Sequence, residues 1–144
     1  VLFRSDLLAE AKLSPELRNE ALYYRAKAYT KQKADKKAVD DLRELAKDTR
    51  NAYGAEAKYL VAQSLYDAKE YNAAEKELLN YIEQSTPHAY WLARSFVLLS
   101  DVYAAMGKDL DARQYLLSLQ QNYQGNDDIA TMIESRLSKL KVKN

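Results

Sequence analysis

Apolar positions recur along this chain at the spacing of amphipathic helices. Leu22, Ala26 and Tyr29 share one face at steps of four and three, and so do Ala38, Leu42 and Leu45. The pattern returns at Ala74, Leu78 and Tyr81, at Ala112, Leu116 and Leu119, and at Ile129, Ile133, Leu137 and Leu140. Val61, Ala62 and Leu65 make a further stripe, and Phe96, Leu99, Ser100 and Tyr103 another. This patterning predicts eight helices, at about 1–13, 15–32, 36–49, 52–69, 73–84, 87–106, 110–123 and 127–141. Their ends carry start and stop chemistry. Ser14-Pro15 opens the second helix, Ser14 as a cap and Pro15 at a position that needs no N–H. Thr86-Pro87 predicts the same device for the sixth. Asp35, Asn51 and Asp109 are expected caps, Asn72 with Glu75 has capping-box spacing, and Gly107 and Gly125-Asn126 are stops.

The small residues have a longer period. Ala38, Ala74 and Ala112 lie 36 and 38 residues apart, each early in a helix, and Ala26, Ala62 and Ser100 lie in the helices before them. Two helices that cross closely need short side chains at the contact, while Tyr29, Leu65 and Tyr103, with Leu42, Leu78 and Leu116, fill the space further out. A helical hairpin of this kind cannot bury both its apolar faces alone, and stacking the next hairpin on it can. The expected architecture is all-α, one domain over 1–144, with three hairpin repeats at 16–123 between a half-hairpin helix at 1–13 and a terminal helix at 127–141.

Composition narrows the chemistry. With 47% hydrophobic residues in 144, a sizeable core is available, and only 3 Gly and 2 Pro interrupt helix formers. Lys+Arg at 22 against Asp+Glu at 21 gives no global attraction for nucleic acid or anionic membrane. There is no cysteine, which excludes disulfides, thiolate metal sites and cysteine nucleophiles. No apolar run is long enough to span a membrane. The chain opens with Val1 inside a helical pattern, as a piece of a longer protein would, and an exposed helix at 1–13 could pair with a second copy. No phosphate-binding glycine loop, HExxH, paired histidines or Gly-x-Ser-x-Gly elbow occurs. Glu75/Glu77 and Asp127/Asp128 sit in or near first helical turns, where the helix dipole accounts for them. Catalysis, cofactor and metal are therefore not expected.

The repeat resembles the tetratricopeptide repeat. The resemblance rests on Ala26-Tyr29-Ala38-Leu42, on Ala62-Leu65-Tyr71-Ala74-Leu78 and on Phe96-Leu99-Tyr103-Gly107-Ala112-Leu116. It implies a right-handed superhelical stack of antiparallel hairpins, an α-solenoid, that binds a protein or peptide. The chain departs from that pattern at Arg25 and Lys58, where apolar residues are usual, and in lacking a closing proline after Leu45. The runs Tyr90-Trp91-Leu92-Ala93-Arg94, Leu99-Ser100-Asp101-Val102-Tyr103 and Ala112-Arg113-Gln114-Tyr115-Leu116 are similar to the C-terminal part of large repeat proteins of Bacteroides-type bacteria. That similarity implies a periplasmic or envelope location, with the cytoplasm as the alternative.

In such a stack the first helix of each hairpin lines a concave groove. One turn off the buried stripe, the groove side offers Tyr23, Lys27 and Thr30, then Tyr59, Gln63 and Tyr66, then Arg94, Val97 and Asp101. Tyrosines give contact area at low entropic cost, and Lys27 and Arg94 can pair with acidic groups of a partner. The competing reading is a structural spacer or self-association segment whose concave face is unspecialised. Some relatives clamp a C-terminal carboxylate with two asparagines among five groove residues; this chain has Tyr23, Lys27, Leu60, Arg94 and Leu98 there, so that tail is not expected. Trp91 reads as a wedge between hairpins or an exposed anchor, and His88 as a first-turn surface residue or a pH sensor. Lys31, Lys33, Lys36 and Lys37 read as a solvated turn, and Arg136, Lys139, Lys141 and Lys143 as charges suited to a helix C-terminus.

Overall fold

The computed structural model describes residues 14–84 and 86–140. The expected helix at 1–13, and any pairing of copies through it, lies outside them. Among the described residues there are seven α-helices and no strand: α1 Pro15–Lys31, α2 Asp35–Leu45, α3 Ala52–Asp67, α4 Tyr71–Glu83, α5 Ala89–Ala105, α6 Asp109–Asn122 and α7 Ile129–Lys139.

Two of the expected caps form. The Ser14 hydroxyl accepts from the Leu17 N–H at 3.2 Å, and Asn51 Oδ1 accepts from Tyr53 and Gly54 at 2.8 and 3.3 Å. Three expected caps do not. Asp35 and Asp109 are the first residues of their helices, Asn72 is the second of its own, and the cap positions belong to Ala34, Lys108 and Glu70, with no side-chain bond at any of them. What recurs at these three places is a backbone closure of the preceding helix. Lys33, Lys69 and Gly107 take left-handed φ values of 59°, 61° and 76°. The N–H groups of Ala34, Glu70 and Lys108 then reach back to the carbonyls of Tyr29, Leu65 and Tyr103 at 2.9, 2.9 and 2.8 Å, a Schellman-type closure. The carbonyls of those same three residues accept from Ala38, Ala74 and Ala112 at 3.1, 2.9 and 3.1 Å. One residue thus ends one helix and starts the next, and the sharp return brings the early alanine against the preceding helix.

The Thr86-Pro87 device is also corrected. α5 begins only at Ala89, with His88 at its cap. The Thr86 hydroxyl instead donates to the Thr49 carbonyl at 2.9 Å and accepts from the His88 N–H at 3.3 Å, tying two inter-helix loops together.

Packing is sequential. Each helix touches its chain neighbours, and α1, α3, α5 and α7 also touch one another in order, whereas α2, α4 and α6 do not. The odd-numbered helices therefore form one continuous layer and the even-numbered ones stand apart outside it; α1 and α7 do not meet. Ala26, Ala62, Ser100, Ala38, Ala74 and Ala112 are all buried, as their spacing predicts. Gly54 marks an even closer approach: a Cβ there would lie 1.8 Å from the Asp48 carbonyl oxygen and 2.7 Å from that of Leu45. The core falls into three clusters, one around Leu22, Leu42, Leu45 and Val61, one around Leu78, Leu99, Val102 and Ala112, and one around Ala93, Leu116, Ile129 and Ile133.

The unusual Arg25 and Lys58 are each answered within their own helix pair. Arg25 Nε donates to Asp41 Oδ2 at 2.8 Å, with a second bond from Nη2 to Oδ1. Lys58 Nζ lies 2.9 Å from Glu77 Oε1. Asp41 and Glu77 stand 36 residues apart, and 38 residues on the same slot holds Tyr115, whose ring meets Phe96 edge-on at 5.8 Å. The fold keeps the contact and exchanges a salt bridge for an aromatic pair.

Candidate partner-binding face

The nine residues proposed for the groove sit on α1, α3 and α5, the layer whose helices touch. Most of them are engaged with the next helix of that layer. At the α1–α3 junction, Lys27 Nζ donates to Glu56 Oε2 at 2.9 Å and the Tyr23 hydroxyl donates to Glu56 Oε1 at 3.1 Å. Burial raises the Tyr23 phenol above its ordinary value and the Glu56 charge adds to it. Burial alone would lower Lys27, but its bond to Glu56 and the attraction of that carboxylate hold it above its usual value. The Tyr23 ring also lies against Tyr53, with centroids 4.5 Å apart. Thr30 is exposed, but its hydroxyl folds back onto the Ala26 carbonyl at 2.9 Å.

The α3–α5 junction is built around Arg94. Its guanidinium lies 4.8 Å from the centroid of Tyr59 and 5.9 Å from those of Tyr90 and Trp91. Nη2 donates to the Tyr59 hydroxyl at 2.9 Å and Nη1 to the Tyr90 hydroxyl at 3.0 Å. The Tyr90 hydroxyl donates in turn to Asp128 Oδ1 at 3.0 Å, and Tyr59 donates to Gln63 Oε1 at 3.0 Å. Gln63 in turn donates to Asp67 at 2.9 Å. Among the described residues Arg94 forms no ion pair. Burial pulls its pKa down, yet the two tyrosine hydroxyls more than restore it, so it stays a cation. Trp91 is the wedge: half-buried, it bridges Tyr59 of α3 and Tyr90 of α5 at 5.6 and 5.1 Å.

At the α5–α7 junction Asp101 receives a two-pronged bond from Arg136, Nε to Oδ1 at 2.8 Å and Nη2 to Oδ2 at 3.0 Å. Arg136 is thus more than a charge at a helix end. Tyr66, half-buried beside this pair, is raised first by burial and then by the Asp101 charge, and its ring rests on Tyr71 at 5.7 Å.

Two candidates are corrected. Val97 is 2% exposed and belongs to the α5–α6–α7 core, because α7 covers the face of α5 that would otherwise line a groove. Tyr59 is 5% exposed, covered by Arg94 and Trp91. His88 is half-buried rather than exposed. Its Nε2 lies 2.8 Å from the Arg50 carbonyl, which can only accept, so that nitrogen carries the proton.

No family model, no curated protein and no solved structure matches the chain.

What the face offers is therefore read from its geometry. Between α1, α2 and α3 a crevice of about 520 Å³ opens, floored by Ala26, Ala38 and Leu42 and edged by Lys27, Gln63 and Asp67. Among the described residues no group of three His, Cys, Asp or Glu could hold a metal, and no helix is long and apolar enough to cross a membrane.

Proposed function

We propose that the chain is a non-catalytic scaffold segment of the tetratricopeptide type that holds an acidic stretch of a partner protein against the odd-helix layer, centred on Arg94. The observation that carries this reading is the state of Arg94. It is a cation fixed by two hydroxyls and three rings, with guanidinium N–H donors left over and no carboxylate partner among the described residues. A planar guanidinium held in place is suited to a partner carboxylate, because little entropy remains to be lost on binding. Lys27, the other candidate cation, is already paired with Glu56 and adds only a weaker pull. The absence of cysteine and of a metal-capable cluster among the described residues supports a role without chemistry. An envelope location, suggested by the similarity to Bacteroides-type repeat proteins, goes with this proposal and is checked by fractionating cells that express the protein.

The test is a titration of the chain with a poly-glutamate peptide, against poly-lysine as control, followed at the indole N–H resonance of Trp91, the one tryptophan of the sequence, which lies against Arg94 and is kept in the variant. The expected result is a saturable shift with the acidic peptide alone, lost in Arg94→Gln with the helical circular dichroism unchanged. Equal binding by Arg94→Gln would refute it. A second reading, the structural spacer, is favoured by the junction bonds: Glu56 takes up Tyr23 and Lys27, and Arg136 takes up Asp101, so that much of the face is spent on holding the stack together. Failure of any acidic peptide to bind would select it.

A further inference from the structure

We propose that the open end of the α5–α6 pair is a binding slot for a small neutral aromatic molecule with one N–H or O–H donor. A cavity of about 370 Å³ lies between the first half of α5 and the second half of α6, within the range of small-molecule sites. Its apolar walls come from Leu92 and Phe96 on one side and Leu119 on the other. It shares no lining residue with the Arg94 cluster.

The register explains why the space is there. Leu119 stands 38 residues after Tyr81, at the equivalent place on the preceding helix pair. Tyr81 is fully enclosed, so in that pair the position contributes a whole ring to the interior. In the α5–α6 pair the same position carries a side chain that stops short by about a ring. Phe96 likewise replaces Lys58, which removes the ammonium that would have charged the wall. No residue lining the cavity is charged.

The polar atoms fix the ligand class. Asn122 Nδ2 donates to the Ser118 carbonyl at 2.7 Å, which leaves the Asn122 amide oxygen as an acceptor. The Tyr123 hydroxyl proton is committed to Asp127, and the exposed Ser118 hydroxyl adds a second acceptor at the rim. An apolar slot with a spare acceptor favours a flat ring with a single donor and disfavours an ion, whose desolvation nothing there would offset. Indole and phenol have that form, and the missing tyrosine ring of the register has it too.

The test uses indole as the probe on the whole chain. Addition of indole is expected to shift the Leu92, Phe96 and Leu119 resonances saturably, with a dissociation constant on the order of 1 mM for so few atoms. Leu119→Tyr, which restores the residue of the preceding pair, is expected to weaken indole binding more than about tenfold while raising the thermal midpoint. Should that variant not fold, Ala89→Trp at the exposed rim serves, and the same loss is expected. Benzoate, matched in size but charged, is expected to leave the resonances in place. The proposal is overturned if indole shifts none of the three residues at about ten times that concentration, or if a folded plugging variant binds indole as the unmodified chain does.

Discussion

At Lys33 and Lys69 an L-residue holds a backbone conformation that Gly107 holds freely in the third turn. The left-handed region brings Cβ against the following carbonyl, at a cost of about 1–2 kcal/mol that glycine avoids. Glycine returns about 0.5–1 kcal/mol of this through its greater freedom when unfolded. Lys69→Gly is therefore expected to stabilise the chain by about 0.5–1 kcal/mol, read as a higher urea midpoint at unchanged slope. A lower midpoint would show that the lysine side chain contributes something the turn needs. These turns also explain where the sequence reading failed. Asp35, Asn72 and Asp109 are helix-starting residue types at plausible spacings, so capping rules select them. Nothing in side-chain identity reveals that a backbone closure of the preceding helix has already fixed where the next one starts, and only Gly107 of the three left-handed residues advertises it. Gly54 is a parallel case: composition marks it as a weak helix former, whereas its role is to let the end of α2 approach α3.

Between elements, the contact that decides the architecture is the one made by the recurring alanines. Ala74 has no exposed surface and lies in the first turn of α4 against the preceding helix. Ala74→Leu adds volume that neither helix can yield without shifting, and is expected to cost about 1–3 kcal/mol. An unchanged urea midpoint would mean that the helix pairs are not spaced by this residue. This level was the most legible of the three. Helix order, the buried faces and the small-residue register all follow from periodicities of about four and thirty-six to thirty-eight. The face assigned to binding was less legible. A rule that places groove residues one turn off the buried stripe treats each helix pair by itself. Val97 is buried by α7, and Tyr59 by Trp91 and Arg94, all contributed by later segments. Glu56, which gathers Tyr23 and Lys27, carried no signal beyond being one of many surface carboxylates.

For the whole molecule, tyrosine ionisation links stability to alkaline pH. Tyr123 is pushed up to about 12, by burial first and then by its bond to Asp127. Tyr23, Tyr66, Tyr81 and Tyr103 are raised as well, each by burial first, and the Tyr81 hydroxyl is enclosed with no hydrogen-bond partner among the described residues. Unfolded phenols lose their protons near pH 10 while the folded ones retain them, so the unfolded state binds fewer protons above that point. Stability is then expected to be level with respect to these groups below pH about 9 and to fall as the pH rises from about 10 towards 12. Urea midpoints across that range, with phenolate absorbance followed in parallel, check it; a midpoint that rose with pH would reverse the sign of the linkage.

The bonds that join the odd-numbered helices each reach only the adjacent helix of that layer: Glu56 back to α1, Arg94 back to α3, Arg136 back to α5. Among the described residues none spans two junctions. A pull applied between the two ends of such an array is borne by these fasteners in series, so the array parts at whichever junction is weakest while its neighbours stay closed. Under tension the protein would lengthen in discrete steps of one helix or one pair, taking up slack as a ratcheted tether does.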